Sequence, residues 1–334
     1  MEYRSLGRTG VKVSPICLGC MMWGAKTKEE ESIRIVHRAL DAGINFLDTA
    51  NAYTRGVSEQ ITGRAIKESG KRDRIVLATK VHGVMADDDP NMRGNSRRHI
   101  LQQCEASLKR LQTDWIDLYQ MHRPMSDIPL DETLRALDDL VRSGKVRYLG
   151  TSTFAAWQLV HSFWISKELG LNRIVCEQPP YNLLDRRIER DLVPMAQTFG
   201  MGLIPWSPLA AGFLTGKYKR GEVPADGRWK GGQGPGGRTL NDHAYDIMDR
   251  VAALAQAKGC TPSQLALAWC MQQPGITSPI IGPNSMQQFE DNLGALYVQI
   301  TAEDRAALDE VAPPGGVTVK YYEADFGPTL QRVL

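Results

Sequence analysis

Residues 45–53, NFLDTANAY, decide how the rest of the chain is organised. The apolar residues around Phe46 and Leu47 are typical of a short buried strand, which ends at the carboxylate of Asp48. Tyr53 follows five residues later, after a small polar loop. In parallel α/β folds, chemistry gathers at the carboxyl ends of the strands. The stretch therefore has two interpretations: part of an active site, or a solvated aspartate beside a surface tyrosine.

The same unit, an apolar run followed by a helical pattern, repeats along the chain. The apolar runs lie at 16–19, 44–47, 75–79, 116–121, 146–150, 174–176, 202–206 and 279–282. Helical periodicity fills most gaps, at 29–42, 58–69, 97–111, 131–143, 154–169, 186–199, 245–258, 262–273 and 286–295. Because the runs are apolar throughout, they suit strands covered on both faces. Eight units at roughly 30-residue spacing predict one α/β domain over residues 1–334, a (β/α)8 TIM barrel. A doubly wound sheet is the alternative, but no glycine fingerprint follows the first strand.

Four segments fall outside this repeat. Residues 1–14 alternate around two glycines and are predicted to form an N-terminal β-hairpin. Long loops are expected after the third strand, at 83–95, and after the seventh, at 216–242, where we expect a lid. Within the lid, GQGPGG at 232–237 has GxGxxG spacing, but it follows no strand and opens no helix. The C-terminal tail, 313–334, is predicted to be irregular.

Composition excludes several function classes. The 334 residues are 42% hydrophobic and 23% charged, which is ordinary for a globular protein. Lys and Arg number 40 against 38 Asp and Glu, so a net charge of +2 does not indicate nucleic acid or a membrane surface as a partner. The first residues, MEYRSLGRTG, are polar, and no apolar run approaches the ~20 residues that span a bilayer. We therefore expect a cytoplasmic protein.

The six cysteines are scattered through apolar segments. This pattern favours reduced core thiols over a disulfide framework. Cys17 and Cys20 form a CxxC, but neither a following helix N-terminus nor a second ligand pair accompanies them. We expect no metal site.

A barrel collects at one mouth whatever side chains stand at the ends of its strands. The predicted strand ends carry Asp48 with Tyr53, then Lys80, His122, Ser152 with Thr153, Gln178, Trp206 with Ser207, and Gly282. Taken singly, each has a plain interpretation, since a strand-end lysine is usually a solvated charge. Taken together, they bring an acid, a phenol, an ammonium and an imidazole into one mouth.

These four groups suit the reduction of a carbonyl. A tyrosine has an ordinary pKa of about 10, and a buried lysine beside it favours the phenolate. The aspartate keeps that lysine charged, so Tyr53 becomes a competent general acid for a developing alkoxide. The imidazole of His122 can donate to the same oxygen. None of the four supplies a hydride, so a nicotinamide cofactor is implied.

The chain resembles the aldo-keto reductases over nearly all its length. The segments that carry the resemblance are RSLGRTG (4–10), DAGINFLDTANAY (41–53), LATK (77–80), DLYQMH (117–122), QPPYN (178–182), PWSPLAAGFLTGKY (205–218) and DNLGA (291–295). The resemblance implies Tyr53 as proton donor, Lys80 and Asp48 as its tuning pair, and His122 as the residue that orients the substrate.

The resemblance also implies where a cofactor binds. Ser152, Thr153 and Gln178 stand where the family grips the carboxamide, with Thr153 replacing a common Asn, and Trp206 stands where an aromatic ring stacks on the nicotinamide. The remaining positions match those along the pyrophosphate and around the adenosine: Ser207, Leu209, Gly212, Lys217, Gly282, Gln288, Asp291 and Asn292.

One departure bears on the choice of cofactor. Many members place Lys or Arg near the 2′-phosphate, whereas this chain has Asn284, Ser285 and Gln288. Members resembling the potassium-channel β subunits use a lid arginine instead, and Arg228 can serve here, with Lys217 adding charge. An acidic residue would meet a bare 2′-hydroxyl, and Asp291 can be interpreted that way. We favour NADP(H), with NAD(H) as the alternative.

The substrate is expected to be a small carbonyl compound in a mixed apolar and polar pocket. Its predicted walls are Met22, Trp23, Tyr53, His82, Met85, Arg123 and the lid around Trp229. The physiological substrate and the oligomeric state are left open. Two other functions keep the barrel: a cofactor-sensing subunit resembling the channel β subunits, and a lyase or isomerase with Lys80 as a Schiff base. Those channel subunits usually carry Asn at the position of His122.

Overall fold

The computed structural model describes residues 1–222 and 227–321. The strands are β1 Arg4–Ser5, β2 Lys12–Val13, β3 Cys17–Gly19, β4 Phe46–Asp48, β5 Val76–Val81, β6 Ile116–Met121, β7 Val146–Ser152, β8 Ile174–Gln178, β9 Gly202–Leu203 and β10 Ile280–Ile281. The α-helices are α1 Glu29–Asp41, α2 Val57–Ser69, α3 Arg97–Leu111, α4 Leu130–Arg142, α5 Ala156–Leu169, α6 Leu192–Phe199, α7 Asp242–Ala257, α8 Pro262–Met271, α9 Met286–Leu293 and α10 Ala302–Val311.

Strands β3 to β10 form one parallel sheet in the order β10-β3-β4-β5-β6-β7-β8-β9. The two ends of this sheet meet, because Ile280 N donates to Pro205 O at 2.8 Å and Thr277 N donates to Leu203 O at 2.8 Å. A helix follows each strand and covers the outside. The predicted (β/α)8 barrel is confirmed.

The predicted N-terminal hairpin is also confirmed, as antiparallel strands β1 and β2. It lies across the amino-terminal end of the barrel. Leu6 and Val13 are fully buried there against Cys17, Phe46 and other interior residues of the barrel strands. The hairpin therefore closes the floor of the barrel with apolar side chains.

The interior of the barrel changes character along each strand. In β4, Phe46 packs in the floor cluster, and Asp48, two residues later, is buried at the opposite end of the strand. The same step separates Ala78 from Lys80, Leu118 from Gln120, and Cys176 from Gln178. Because side chains two residues apart in a strand point to the same face, all four pairs face inward. An apolar floor therefore lies under a polar mouth.

Helix boundaries follow local capping chemistry. Helix α8 begins at Pro262 behind a capping box, in which Thr261 accepts from Gln264 N and the Gln264 side chain accepts from Thr261 N. Helix α7 begins three residues before its predicted start, because Asn241 Oδ1 accepts from Ala244 N.

Two helical predictions differ from the structure. The predicted helix 186–199 is divided into a short 3-10 turn, Arg187–Glu189, and α6. Helix α10 was not predicted. Its start is marked in the sequence by Thr301 and Asp304, which form a capping box.

The predicted loops connect the expected elements. Residues 82–96 join β5 to α3 without a helix or strand, as expected for 83–95. The lid prediction, 216–242, ends at α7, and its residues 223–226 lie outside the described residues, as do residues 322–334 of the predicted tail. All six cysteines are free thiols, including Cys17 and Cys20. Within the described ranges, no helix has both the length and the apolar character needed to cross a bilayer.

Candidate active site

Three of the predicted catalytic residues meet around one buried ammonium group. Lys80 Nζ, at the end of β5, donates to Asp48 Oδ2 at 2.5 Å, to Thr49 O at 2.8 Å and to Tyr53 Oη at 3.2 Å. Lys80 is fully buried, and Asp48 is 2% exposed. The lysine therefore uses its three hydrogens on an acid, a main-chain carbonyl and a phenol.

The charge on Lys80 is stabilised by these neighbours. Burial alone lowers the pKa of a lysine, but the charge of Asp48, the oxygen of Tyr53 and the hydrogen bonds to both act against burial and outweigh it. The pKa of Lys80 is therefore raised, and the side chain stays protonated beside the phenol.

The other oxygen of Asp48 is held by two amides. Gln120 Nε2 donates to Asp48 Oδ1 at 2.9 Å, and Gln178 Nε2 donates to the same oxygen at 3.0 Å. Gln178 Nε2 also donates to Gln120 Oε1 at 3.1 Å. These bonds fix the carboxylate on both sides, as a buried charge requires. The sequence prediction missed Gln120, and its signal is the inward position two residues before His122.

His122 lies on the other side of the phenol. Its ring meets that of Tyr53 edge to face, with centroids 5.5 Å apart. Burial, followed by the positive charges of Arg123 and Lys80, holds the pKa of His122 well below its ordinary value. The imidazole is therefore neutral at physiological pH and carries one N–H donor.

Ser152 and Thr153 lie together at the end of β7, and Arg123 reaches across to both. Arg123 Nη1 donates to His122 O at 2.5 Å, and to Ser152 Oγ and Thr153 Oγ1 at 3.3 Å each. Ser152 Oγ donates to Gln178 O at 2.9 Å. The guanidinium of Arg123, a predicted pocket wall, is thus in contact with the hydroxyls predicted to hold a cofactor.

A sequence profile described as the "Aldo/keto reductase family" matches residues 15–313. The chain belongs to the aldo/keto reductase family. Membership makes it an NAD(P)H-dependent oxidoreductase of carbonyl groups.

Curated relatives align over nearly the whole aldo/keto reductase chain. It is 40% identical to the uncharacterized oxidoreductase YrpG of Bacillus subtilis, over 96% of this chain and 99% of that protein. It is 36% identical to a probable voltage-gated potassium channel subunit beta of Oryza sativa, over 89% and 92% respectively. Versiconal hemiacetal acetate reductase of Aspergillus parasiticus is 34% identical, over 95% and 98%.

The segment after β9 carries the next predicted cofactor residues of this aldo/keto reductase. Trp206 is half-buried, and Ser207 O accepts from Asn182 Nδ2 at 3.1 Å. Leu209 directly precedes a 3-10 segment, Ala210–Thr215, within which Gly212 has φ of 91°. An added Cβ at Gly212 would meet only the end of the exposed Lys217 side chain, within van der Waals distance. The main chain at Gly212 is therefore open to close approach by a ligand.

Arg228 lies in the described part of the predicted lid, where its main-chain N donates to Tyr218 Oη at 2.8 Å. Burial lowers the pKa of this guanidinium, with partial compensation by Tyr218 and Tyr321. Within residues 1–222 and 227–321, no carboxylate forms an ion pair with Arg228.

The predicted adenosine residues follow β10. Gly282 is exposed, and an added Cβ there would meet nothing within 4 Å. Gln288 Oε1 accepts from Asn284 N at 2.8 Å, and Asn292 is buried in α9. Asp291 Oδ1 accepts from Thr261 Oγ1 at 2.9 Å and from Gln264 Nε2 at 3.0 Å. Asp291 is thus engaged with the start of α8.

The predicted pocket walls differ in exposure. Met22 is half-buried, whereas Trp23 and Trp229 are almost wholly buried, at 0% and 1% exposed. His82 Nδ1 is hydrogen-bonded to Asn95 Oδ1 at 3.1 Å, which fixes the ring at the rim of the mouth. Both tryptophan rings are therefore buried within the protein.

Proposed function

We propose that this aldo/keto reductase reduces an aldehyde or ketone to an alcohol with NADP(H), and that Tyr53 is the general acid. The observation that carries the proposal is the contact of Tyr53 Oη with Lys80 Nζ at 3.2 Å, while Lys80 is bound to Asp48 at 2.5 Å. A fixed positive charge beside a phenol stabilises its anion, which makes proton donation easier.

The residues divide the work of the reaction. A nicotinamide cofactor, held by the residues at the mouth, would supply the hydride for the carbonyl carbon. Tyr53 gives its proton to the carbonyl oxygen, and the resulting phenolate lies beside the ammonium of Lys80. Neutral His122 donates its N–H to the same oxygen and orients it. Asp48 keeps Lys80 charged through its ion pair with Nζ.

The positive charge on Lys80 disfavours the alternative function, a lyase or isomerase in which this lysine forms a Schiff base. A lysine nucleophile needs a lowered pKa so that its free amine can attack a carbonyl. Here the net effect of Asp48 and Tyr53 raises the pKa of Lys80 despite its burial.

The proposed cofactor fit rests on groups around the mouth. Ser152, Thr153 and Gln178 would hold the carboxamide, and Trp206 would stack on the ring. Trp206 Nε1 and Asn284 Oδ1 are buried, with no hydrogen-bond partner among the described residues. Such groups favour a polar ligand at this site.

We prefer NADP(H) to NAD(H) because of the contacts that two charged residues make. Asp291, the acid available for a 2′-hydroxyl, already accepts two hydrogen bonds from the start of α8. Arg228 is a cation that forms no ion pair within the described ranges, as a site for a 2′-phosphate requires. A cytoplasmic location stays a prediction.

Turnover tests the catalytic part. Purified protein should oxidise NADPH in the presence of a reactive aldehyde, and Tyr53→Phe should lower kcat at least about 100-fold while still binding NADPH. Exposed Tyr297→Phe is the matched control and should keep full activity. A fully active Tyr53→Phe enzyme contradicts the mechanism.

Cofactor discrimination tests the proposed role of Arg228. Arg228→Ala should raise the Kd of NADPH about 10- to 100-fold, the range for loss of a charged hydrogen bond, and leave NADH almost unchanged. Arg220→Ala, also in the lid but paired with Asp242 and Asp246, is the control. If both cofactors weaken alike, Arg228 does not bind the phosphate.

A cofactor-binding regulatory subunit is the second candidate, because a relative of 36% identity is described as a potassium channel subunit beta. That function predicts tight NADPH binding with negligible turnover on every carbonyl tested. The presence of His122 beside Tyr53 favours the reductase.

A further inference from the structure

The turn after β7 has a conformation that needs support. Thr153 has φ of 62°, in the left-handed region that β-branched residues rarely adopt. It is fully buried, as are Ser152 before it and Thr151 before that. A residue in this region persists only where surrounding contacts hold it.

Those contacts come from the end of β8. Thr153 N and Ser152 Oγ both donate to Gln178 O, at 3.2 and 2.9 Å. Phe154 N donates to Glu177 Oε1 at 3.1 Å, and Thr151 Oγ1 donates to Glu177 Oε2. One fully buried carboxyl group therefore binds the chain on both sides of the left-handed residue.

Glu177 is fully buried and lies on the outer face of the barrel strands. It was not among the predicted site residues. Its neighbours Cys176 and Gln178 face inward, so strand alternation turns Glu177 away from the mouth. Burial raises its pKa to about 8, against the opposing effect of the hydrogen bonds from Thr151 and Phe154. Burial therefore favours the neutral form of this carboxyl group, and an amide is its closest substitute.

The turn is linked to the proton-donating side of the mouth. Arg123 Nη1 contacts Ser152 Oγ and Thr153 Oγ1 and also binds His122 O at 2.5 Å. Movement of the turn would therefore displace the hydroxyls from Arg123 and disturb their spacing from His122.

We propose that Glu177 is a positioning residue, which fixes the 152–154 turn and thereby the hydroxyls of Ser152 and Thr153 that receive the carboxamide of the cofactor. That these hydroxyls receive a nicotinamide cofactor is part of the proposed function, on which this proposal rests. Glu177 itself touches no reacting atom. It acts through the main chain of the turn, and Arg123 carries the placement to His122.

The first experiment removes the support and then restores it. Glu177→Leu removes both acceptors, and it should raise the Kd of NADPH about tenfold, as loss of one net hydrogen bond does. Its kcat at saturating cofactor should change less than the KM for NADPH. Glu177→Gln keeps an acceptor for Phe154 N and a partner for Thr151, so it should restore near-normal binding at pH 7.

A matched pair of threonines separates positioning from general stability. Thr79 on β5 donates to Glu59 Oε1 at 2.6 Å, and both are fully buried, as Thr151 and Glu177 are. Thr151→Val and Thr79→Val should lower the melting temperature to a similar extent. Only Thr151→Val should weaken NADPH binding, measured directly by quenching of tryptophan fluorescence.

Each outcome bears on the proposal. Unchanged NADPH binding in Glu177→Leu, or equal weakening in the two threonine variants, overturns it. A Glu177→Gln variant as weak as Glu177→Leu overturns the hydrogen-bonding basis. Wild-type protein that binds NADPH without reducing any carbonyl refutes the proposed reaction, yet the binding tests still decide the role of Glu177. Wild-type protein that binds no nicotinamide cofactor overturns both proposals.

Discussion

The floor and the mouth of the barrel are built by the same strands, two residues apart, and they differ in almost every physical respect. At the floor, Phe46 and Leu118 pack with the hairpin residue Leu6, without a charge in the cluster. At the mouth, Asp48 and Gln120, the next inward residues of the same strands, belong to a buried polar network.

The difference shows how a barrel can carry a charged site without unfolding. A buried ion pair contributes little net stability, because desolvation offsets its attraction. Burial of apolar surface at the floor is favourable by about 25 cal/mol per Å². The floor therefore holds the strands at the spacing that the mouth needs. Substitutions in the two regions should fail in different ways.

The largest effect should follow from breaking the ion pair at the mouth. Lys80→Met should lower kcat by about 10³-fold or more, since the phenolate that forms at Tyr53 loses the neighbouring positive charge that stabilises it. The variant should also lose about 3–5 kcal/mol of stability, because Asp48 remains as an uncompensated buried charge. Turnover and urea denaturation measure the two losses.

A double variant sharpens this prediction. Asp48→Asn with Lys80→Met removes both charges, so the free energy of unfolding should recover much of its loss while turnover stays low. If the single Lys80→Met variant is as stable as the unaltered protein, the buried pair is not structured as described.

At the floor, Phe46→Ala should lower stability by about 3–5 kcal/mol, the usual cost of a large cavity in a core. Measured well below its melting temperature, the folded variant should keep most of its kcat, because Asp48 retains all its partners. Exposed Tyr297→Ala, at 88% exposure, should change stability by less than about 0.5 kcal/mol. A large loss of kcat in folded Phe46→Ala enzyme would contradict the separation of the two regions.

A smaller loss of stability is expected at acid pH, and it should come from buried histidines on the mouth side of the barrel. Burial lowers the pKa of His99, on α3 behind the 82–96 loop, to about 4, and lowers the pKa values of His82 and His122 as well. An unfolded histidine binds a proton below about pH 6.5, whereas these folded ones resist it, so stability should fall as pH drops from 6.5 toward 4.

Urea denaturation at several pH values measures this slope. His99→Leu should flatten it, by about 1.4 kcal/mol for each unit of pKa difference removed. His161→Leu, at an exposed position on α5, should leave the slope unchanged. The floor has no comparable acid response, because burial raises the pKa of Cys17 and Cys176 well above the ordinary value of a thiol.

The fold was predictable because its signals are local. Runs apolar throughout, at regular spacing, define the strands, and all eight are present. Helix α10 was missed because its apolar face is weak, although the Thr301–Asp304 capping box marks its start.

The site was predictable only as far as strand ends reveal it. Asp48, Lys80 and Tyr53 were placed together by type and position, and the structure brings them into contact. Gln120 was missed because it lies one residue before the end of its strand, whereas the prediction used only the residues at the strand ends. Glu177 was beyond reach, since its partners Phe154 and Thr151 become neighbours only when β7 and β8 pair. The roles of these residues stay predictions until the variants are measured.

The two bonds donated by Gln178 have a stereochemical consequence. An amide nitrogen carries two hydrogens, and here one goes to Asp48 and the other to Gln120. Of the amide atoms of Gln178, Oε1 is the one left to receive a ligand, so a carboxamide bound there would present its NH2 group. That single orientation would limit which face of an attached ring could turn toward the substrate. A stereospecifically deuterated cofactor should therefore transfer a single isotope, with no mixture of the two.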